Sequence, residues 1–186
     1  MYGGSFDPVH RGHLALAHAA INQFHLSCLY VVPVFQPPHK AKTEASFAHR
    51  LAMARLAFTG WPEVVISDLE GQRGGVSYTI DSVEELRGRH PGDDLYLLVG
   101  ADTTEEIKTW KEPERLAGLV RLLVAPRSRY SLKIELPWCL EKLTMEPVEV
   151  SATRVREAVR EGRPIMEYVP APVAEYIHRH TLYQTG

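Results

Sequence analysis

The 186-residue sequence has little cysteine, no excess of charge of either sign and no long apolar run. Its two cysteines, Cys28 and Cys139, form no C-x-x-C pair, so we expect two buried thiols and no disulfide, as is usual in a reducing, cytoplasmic setting. A formal net charge of -2 excludes the broad basic surface that holds nucleic acid, so any anion site is local. No segment matches a signal peptide or approaches the ~20 apolar residues of a membrane helix.

The composition is otherwise that of one globular domain. Hydrophobic residues make up 45% of the chain and charged residues 24%, and there is neither an internal repeat nor a low-complexity linker. We therefore expect a single domain over residues 1–186, long enough to bury a core without disulfides or structural metals.

Three short apolar segments, CLYVVPV, DLYLLVG and LVRLLVAP, are continuous rather than alternating, which is typical of parallel strands covered by helices on both faces. Between them, HLALAHAAINQF, SFAHRLAMARLAF and TIDSVEELRGRH show helical periodicity, with Ser46 as a candidate N-cap and Pro91-Gly92 as a stop. The alternation of strand and helix predicts an α/β fold with a Rossmann-like, doubly wound parallel sheet.

The last third of the chain is less regular. The segment PRSRYSLKIELPWCLEKLTMEP is marked by proline and lacks periodicity, so we interpret it as an insertion within the domain. It leads into a short predicted strand, EPVEV, and a predicted helix, TRVREAVREG. The segment VPAPVAEYIHRHTLY then predicts a small terminal helical appendix that packs on the sheet.

The N-terminal motif GGSFDPVHRGH places two histidines, His10 and His13, about one helical turn apart beside a glycine-rich loop. In an open parallel sheet, ligands bind at the carboxyl ends of the strands, where such a loop lets backbone N–H groups approach a phosphate at a helix N-terminus. Imidazole donors suit a polyphosphate there, and its negative charge would favour the protonated ring. The motif therefore predicts a phosphate site.

Plainer interpretations of these residues stay open. The histidines could be satisfied structural residues, or part of a zinc site with His18 or His25, although no clustered cysteine or H-E-x-x-H pattern supports zinc and we expect no protein-held metal. Considered individually, Trp110 is interpreted as a core residue, and Lys40 and Arg50 are interpreted as solvated cations.

The motifs, taken together and in order, resemble those of a known protein family, whereas each motif alone is not specific. GGSFDPVHRGH resembles the H-x-G-H signature of the nucleotidyltransferase superfamily. The further blocks VVPVFQPPHK, HRLAMARLA, GVSYTIDSVEELR, LLVGADTTEEIKTWKEPERL, LLVAPR, VEVSATRVREAV and VPAPVAEYIHRHTLY resemble, in order, those of the bacterial nicotinate mononucleotide adenylyltransferase family. The resemblance covers nearly the whole chain.

The resemblance implies an activity and its partners. Members of this family join ATP to nicotinate mononucleotide, which gives nicotinate adenine dinucleotide and pyrophosphate in NAD biosynthesis. The mononucleotide phosphate attacks the α-phosphorus directly and in line, without a covalent enzyme intermediate. Mg²⁺ is the implied cofactor, bound mainly through the ATP phosphates.

The resemblance also implies the catalytic and ATP-binding residues. The triphosphate would be bound by the imidazoles of His10 and His13 and by the loop N–H groups of Gly4, Ser5 and Phe6. At the helix TRVREAV, Ser151 and Thr153 would act as caps, and Arg156 would face the β- and γ-phosphates.

The remaining implied residues bind the ribose and the acceptor. Asp102 would accept hydrogen bonds from the ATP ribose, and Lys40 would attract the acidic mononucleotide. Trp110 would stack on the pyridine ring. Backbone N–H groups at Tyr78 and Thr79 would bind the nicotinate carboxylate, which predicts a preference for the acid over the amide.

Two departures from the family pattern leave alternatives. Ala152 stands where the family has serine, which removes a hydroxyl but keeps the backbone N–H. Only Met1 and Tyr2 precede the glycines, whereas a strand usually has ~5 residues, so we expect further residues before Met1. A non-catalytic nucleotide sensor of the same fold, or an adenylyltransferase with another acceptor such as phosphopantetheine, remain alternative functions.

Overall fold

The computed structural model describes residues 1–38, 43–101, 103–125, 138–146 and 148–184. Its strands are β1 (Tyr2–Gly4), β2 (Leu29–Pro33), β3 (Val64–Ile66), β4 (Tyr96–Gly100), β5 (Arg121–Ala125) and β6 (Leu140–Lys142). Within the described ranges they form one parallel sheet in the order β3-β2-β1-β4-β5-β6. The strand order reverses between β1 and β4, which confirms the predicted doubly wound, Rossmann-like α/β fold.

Helices connect the strands and cover both faces of the sheet. They are α1 (Arg11–Phe24), α2 (Phe47–Ala57), α3 (Leu69–Arg73), α4 (Thr79–Arg89), α5 (Thr103–Glu106), a 3-10 helix (Ile107–Thr109), α6 (Pro113–Ala117), α7 (Ala152–Arg160) and α8 (Ala171–Arg179). The predicted cap of α2 is confirmed, since Ser46 accepts a hydrogen bond from the N–H of His49.

The central strands supply two core layers, because consecutive strand residues point to opposite faces of the sheet. Val31 and Leu98 belong to the layer that α1, α2, α7 and α8 cover. Their neighbours Val32 and Leu97 belong to the layer under α4 and α6. Burial on both faces is the reason that these strands are continuously apolar in the sequence.

The strand β1 has only three residues, yet it lies in the centre of the sheet, between β2 and β4. Tyr2 pairs with Val31 on one side and with Leu98 on the other. The N–H of Leu98 donates to the carbonyl of Met1 at 2.9 Å, which extends the pairing to the first residue. The loop that carries the histidines therefore starts from the middle of the sheet.

In the last third of the chain, the structure differs from the sequence prediction at one element. The predicted strand EPVEV is wrong: residues 146 and 148–150 are in no strand, and β6 lies earlier, inside the predicted insertion. Pairing with β5 decides this, since the N–H of Leu122 donates to Cys139 and the N–H of Leu143 donates to Val124. Helix α7 is confirmed, and α8 packs on α2, where Tyr176 bonds His49.

The two cysteines are unpaired, as predicted, but both are exposed rather than buried. Each directly precedes the first residue of a strand, Cys28 before β2 and Cys139 before β6, and so lies outside the buried part of the sheet. No helix in the described parts of the chain is long and apolar enough to cross a membrane.

Candidate active site

The loop between β1 and α1 lies where the strand order reverses, at the carboxyl edge of the sheet. Gly4 ends β1, and its carbonyl accepts from the N–H of Val34 at 2.9 Å. Phe6 has a positive φ of 47°, and its side chain is buried between the rings of Tyr2 and His13, so only its backbone is available to a ligand. The chain turns sharply here and then enters α1.

A buried carboxylate, Asp7, holds this loop to distant parts of the chain. It accepts hydrogen bonds from the N–H groups of Glu44 at 2.7 Å and Ala45 at 3.1 Å, and from the hydroxyl of Tyr183 at 2.8 Å. Burial and the neighbouring Asp7 raise the pKa of Tyr183, so the phenol keeps its proton and acts as the donor. The sequence analysis did not single out either residue.

A buried arginine, Arg50 of α2, joins the loop to the end of β2. Its guanidinium donates to the carbonyls of Ser5 at 2.8 Å, Ala45 at 3.3 Å and Phe35 at 3.4 Å. Arg50 is 0% exposed, so its interpretation as a solvated cation is wrong. Three carbonyl acceptors compensate the cost of burying its charge.

The histidines His10 and His13 are brought together as predicted. Their rings stack with centroids 3.7 Å apart and planes 22° from parallel. Gly12 permits this, because a Cβ there would lie 3.1 Å from Nδ1 and 3.2 Å from Cε1 of the His10 ring. The glycine of H-x-G-H therefore makes room for the first histidine.

Hydrogen bonding fixes the proton of His13. The N–H of His10 donates to Nδ1 of His13 at 3.0 Å, so the ring proton of a neutral His13 is on Nε2. Burial, and then the neighbouring His10, lower the pKa of His13 well below its ordinary value. His13 is thus a neutral N–H donor rather than the imidazolium that the sequence analysis favoured.

The zinc alternative gains no support from the placement of the other histidines. His18 contacts Asn22 and Trp61, and His25 caps the far end of the 14-residue helix α1, away from His10. The described residues contain no group of three or more His, Cys, Asp or Glu side chains that could hold a metal ion.

The N-terminus of α7 lies beside that of α1. A Cβ on Gly12 would lie 3.2 Å from Cγ1 of Val150, the residue before the cap of α7. Ser151 is that cap, as predicted, and accepts from the N–H of Arg154 at 3.2 Å. Thr153 does not cap, because it lies inside the first turn. The dipoles of the two helices create a local positive field of the kind that binds phosphate, while the N–H of Arg11, the first residue of α1, donates to the carbonyl of Tyr168 at 2.8 Å.

Arg156 makes hydrogen bonds to two other parts of the chain. Its Nε donates to Glu44 at 2.7 Å, and one terminal nitrogen donates to the carbonyl of Asp7 at 2.8 Å. Arg160, one turn further along α7, bonds the second oxygen of Glu44. Burial alone would raise the pKa of Glu44, but the hydrogen bonds from Arg160 and Arg156 outweigh it and lower the pKa.

The predicted acceptor residues lie at the start of α4. Tyr78 is the N-cap residue and Thr79 the first helical residue, so the N–H groups of these two residues have no partner inside the helix. The preceding residue, Ser77, is tied to the end of β2, since its hydroxyl oxygen accepts from the N–H groups of Phe35 at 3.1 Å and Gln36 at 3.3 Å. Phe35 thereby links this corner to Arg50 and the histidine loop.

The half-buried Trp110 is brought to the same corner through the next residue, Lys111. The Nζ of Lys111 lies 4.8 Å from the centroid of the Tyr78 ring and 2.9 Å from a carboxylate oxygen of Asp81. The sequence analysis did not single out Lys111. The two other predicted site residues, Lys40 and Asp102, lie outside the described residues.

Comparison with known proteins gives consistent matches over the chain. The cytidylyltransferase-like family model matches residues 1–158. Probable nicotinate-nucleotide adenylyltransferases from Thermomicrobium roseum and Thermus thermophilus are each 38% identical to this chain; the matches cover 100% and 99% of it and 91% and 98% of those proteins. The solved structure of Plasmodium falciparum nicotinic acid mononucleotide adenylyltransferase complexed with NaAD has a TM-score of 0.81 at 20% identity, over 100% of this chain and 96% of that one, and so shows the same fold.

Proposed function

Since this chain belongs to the cytidylyltransferase-like family and, within it, to the nicotinate-nucleotide adenylyltransferases, we propose that the histidine loop and the start of α4 are the two halves of its active site. The enzyme transfers the adenylyl group of ATP to nicotinate mononucleotide and releases pyrophosphate. The observation that carries the assignment is the stacked pair of His10 and His13 beside the N-termini of α1 and α7.

The histidine loop suits the leaving pyrophosphate. Negative charge grows on the β- and γ-phosphates as the mononucleotide phosphate attacks, so donors already in place stabilise the transition state most. Nε2–H of His13 is such a donor, because Nδ1 is held by the N–H of His10. Ala152, the first residue of α7, lacks the hydroxyl of the family's serine but keeps its backbone N–H. The N-terminus of α7 can therefore still bind phosphate.

Among the described residues of this site, Mg²⁺ fits as an ion carried by the nucleotide. The described residues offer no cluster of metal ligands, and the nearby carboxylates, Asp7 and Glu44, are engaged by backbone N–H groups, a hydroxyl and arginines. Mg²⁺ commonly binds through substrate phosphates in this way. When bound there, it would neutralise part of the phosphate charge.

The start of α4 suits the nicotinate carboxylate. The first N–H groups of α4, beginning near Tyr78 and Thr79, can donate to carboxylate oxygens, and Lys111 adds a cation beside them. Trp110 offers a flat face for the pyridine ring. Stacking selects the ring, whereas the N–H donors distinguish the acid from the amide.

Pyrophosphate release tests the proposed function. ATP with Mg²⁺ is offered together with nicotinate mononucleotide, its amide or phosphopantetheine as acceptor, and the dinucleotide product is identified. We expect efficient release of pyrophosphate only when nicotinate mononucleotide is the acceptor. Binding of ATP without release would indicate a nucleotide sensor, and release with phosphopantetheine would indicate another acceptor; either result contradicts the proposal.

A further inference from the structure

A second buried carboxylate, Glu70 of α3, joins α4 to the end of β2. It is 5% exposed. Its Oε1 accepts from the hydroxyl of Ser82, the fourth residue of α4, at 2.8 Å, and its Oε2 accepts from the N–H of Phe35, which follows β2, at 3.1 Å. Ser82 is 0% exposed and accepts in turn from a guanidinium nitrogen of Arg73 at 2.9 Å. A buried charge is costly unless it is hydrogen-bonded, so these two donors fix the position of the Glu70 carboxylate.

The peptide groups of Phe35 are held from two sides. The N–H of Phe35 donates both to Glu70 and to the hydroxyl oxygen of Ser77, and its carbonyl accepts from Arg50 at 3.4 Å. Ser77 also donates its own N–H to the carbonyl of Gln36 at 2.8 Å. Arg50 bonds the histidine loop as well. Phe35 is therefore the point at which the start of α4 is connected to the guanidinium that holds the histidine loop.

Glu70 also interacts with Arg50 through its charge. Burial lowers the pKa of Arg50, and the negative charges of Asp7 and Glu70 oppose this shift. A charged guanidinium makes stronger hydrogen bonds to its carbonyl acceptors than a neutral group would. Glu70 thus supports the connection between the two regions both by hydrogen bonds and by its charge.

We propose that Glu70 is a positioning residue for adenylyl transfer: by joining Phe35 to Ser82, it sets the distance between the start of α4 and the histidine loop. The inference rests on the proposed function, because it takes these two regions as the halves of the active site. In-line attack requires the acceptor phosphate and the α-phosphorus of ATP to be held in one geometry, and an error of about 1 Å costs about 10²-fold in rate. Binding of either substrate alone requires only one half.

Replacement of Glu70 by glutamine tests the positioning role. The amide keeps the shape of the side chain but loses its charge, and its NH₂ group cannot accept a hydrogen bond from Phe35 or Ser82. We expect the kcat of Glu70→Gln to fall at least about tenfold, while the separate affinities for ATP and for nicotinate mononucleotide, measured by calorimetry, change less than about threefold.

Glu85→Gln is the matched control, because it removes a partly exposed carboxylate that bonds the same Arg73 but does not reach Phe35. This control should keep its kcat. A normal kcat in folded Glu70→Gln would overturn the proposal. So would a fall of kcat that only accompanies an equal loss of affinity for one substrate, since that would indicate damage to a single half.

Ser82→Ala tests the same connection from α4 and is a milder change. It leaves the bond between Glu70 and Phe35 in place and removes the bond to α4, so kcat should fall about two- to fivefold. The double variant Glu70→Gln/Ser82→Ala should be no slower than Glu70→Gln alone, because the two bonds act in series. If the two effects on kcat multiply, Glu70 and Ser82 act independently and the proposal is wrong.

Hydrogen exchange gives a readout that needs no turnover. The N–H of Phe35 should exchange about tenfold faster in Glu70→Gln than in Glu85→Gln, because it loses a charged acceptor. Equal exchange would show that Glu70 does not hold this peptide. If the natural sequence releases no pyrophosphate with nicotinate mononucleotide, the proposed function fails, whereas an active enzyme whose Glu70→Gln variant keeps its kcat refutes the positioning role alone.

Discussion

The ring of His13 is held as a neutral donor by two features of its surroundings. The N–H of His10 occupies the lone pair of Nδ1, and burial disfavours a second proton. A neutral donor with a fixed tautomer can donate from Nε2 without first taking up a proton. The catalytic use of this residue and its effect on stability can therefore be tested separately.

His13→Ala should lower kcat about 10²- to 10³-fold, because one preorganised donor to the developing charge is removed. The thermal midpoint should fall by only a few degrees at about pH 7.5, because the variant loses the packing of one neutral ring and the acceptor of the His10 N–H. His18→Ala, an exposed position on the same helix, is the control and should keep its turnover. Near-normal turnover by folded His13→Ala would contradict the role, and a large fall of its thermal midpoint would indicate a structural histidine.

The lowered pKa of His13 also predicts a pH dependence of stability. Below its ordinary value of 6.5, the unfolded chain gains a proton at this position before the folded chain does. The free energy of unfolding should therefore decrease as pH falls, by up to about 1.4 kcal/mol per pH unit from this one group. Urea unfolding near pH 7.5, 6.5 and 5.5 should show a smaller decrease for His13→Gln than for the natural sequence. Equal slopes would contradict the burial of a neutral ring.

At the scale of elements, the site depends on the short distance between the N-termini of α1 and α7. Gly12 lies between the His10 ring and Val150, at the contact between the two helix N-termini. The glycine pattern of the sequence predicted a phosphate site here, and the structure adds that Gly12 acts by leaving space for a side chain. A methyl group at this position would have to displace the His10 ring or Val150.

Gly12→Ala should lower turnover through displacement of His10. Gly88→Ala is the matched control, because Gly88 also lies in a helix but a Cβ there meets nothing within 4 Å. The control should keep its turnover and gain about 0.5–1 kcal/mol in free energy of unfolding, since alanine favours helix more than glycine does. If both variants turn over equally, the space at Gly12 is not required for catalysis.

At the scale of the whole molecule, the doubly wound parallel sheet could be predicted because its buried strands are local apolar runs. The contacts that stabilise the loop could not. Asp7 bonds Tyr183 across 176 positions, and Arg50 reaches Ser5 across 45. Local sequence shows neither burial nor such distant partners, so Arg50 resembled a surface cation and β6, short and charged, resembled a loop.

The most direct test of the account compares two acceptors that differ at one substituent. Specificity constants for nicotinate mononucleotide and its amide are measured at matched ATP and Mg²⁺. The amide leaves one N–H donor near Tyr78 and Thr79 without an acceptor, at a cost of ~1–3 kcal/mol, so we expect the acid to be preferred at least about tenfold. Equal constants, or a preference for the amide, would contradict the assignment of the start of α4 to the nicotinate carboxylate.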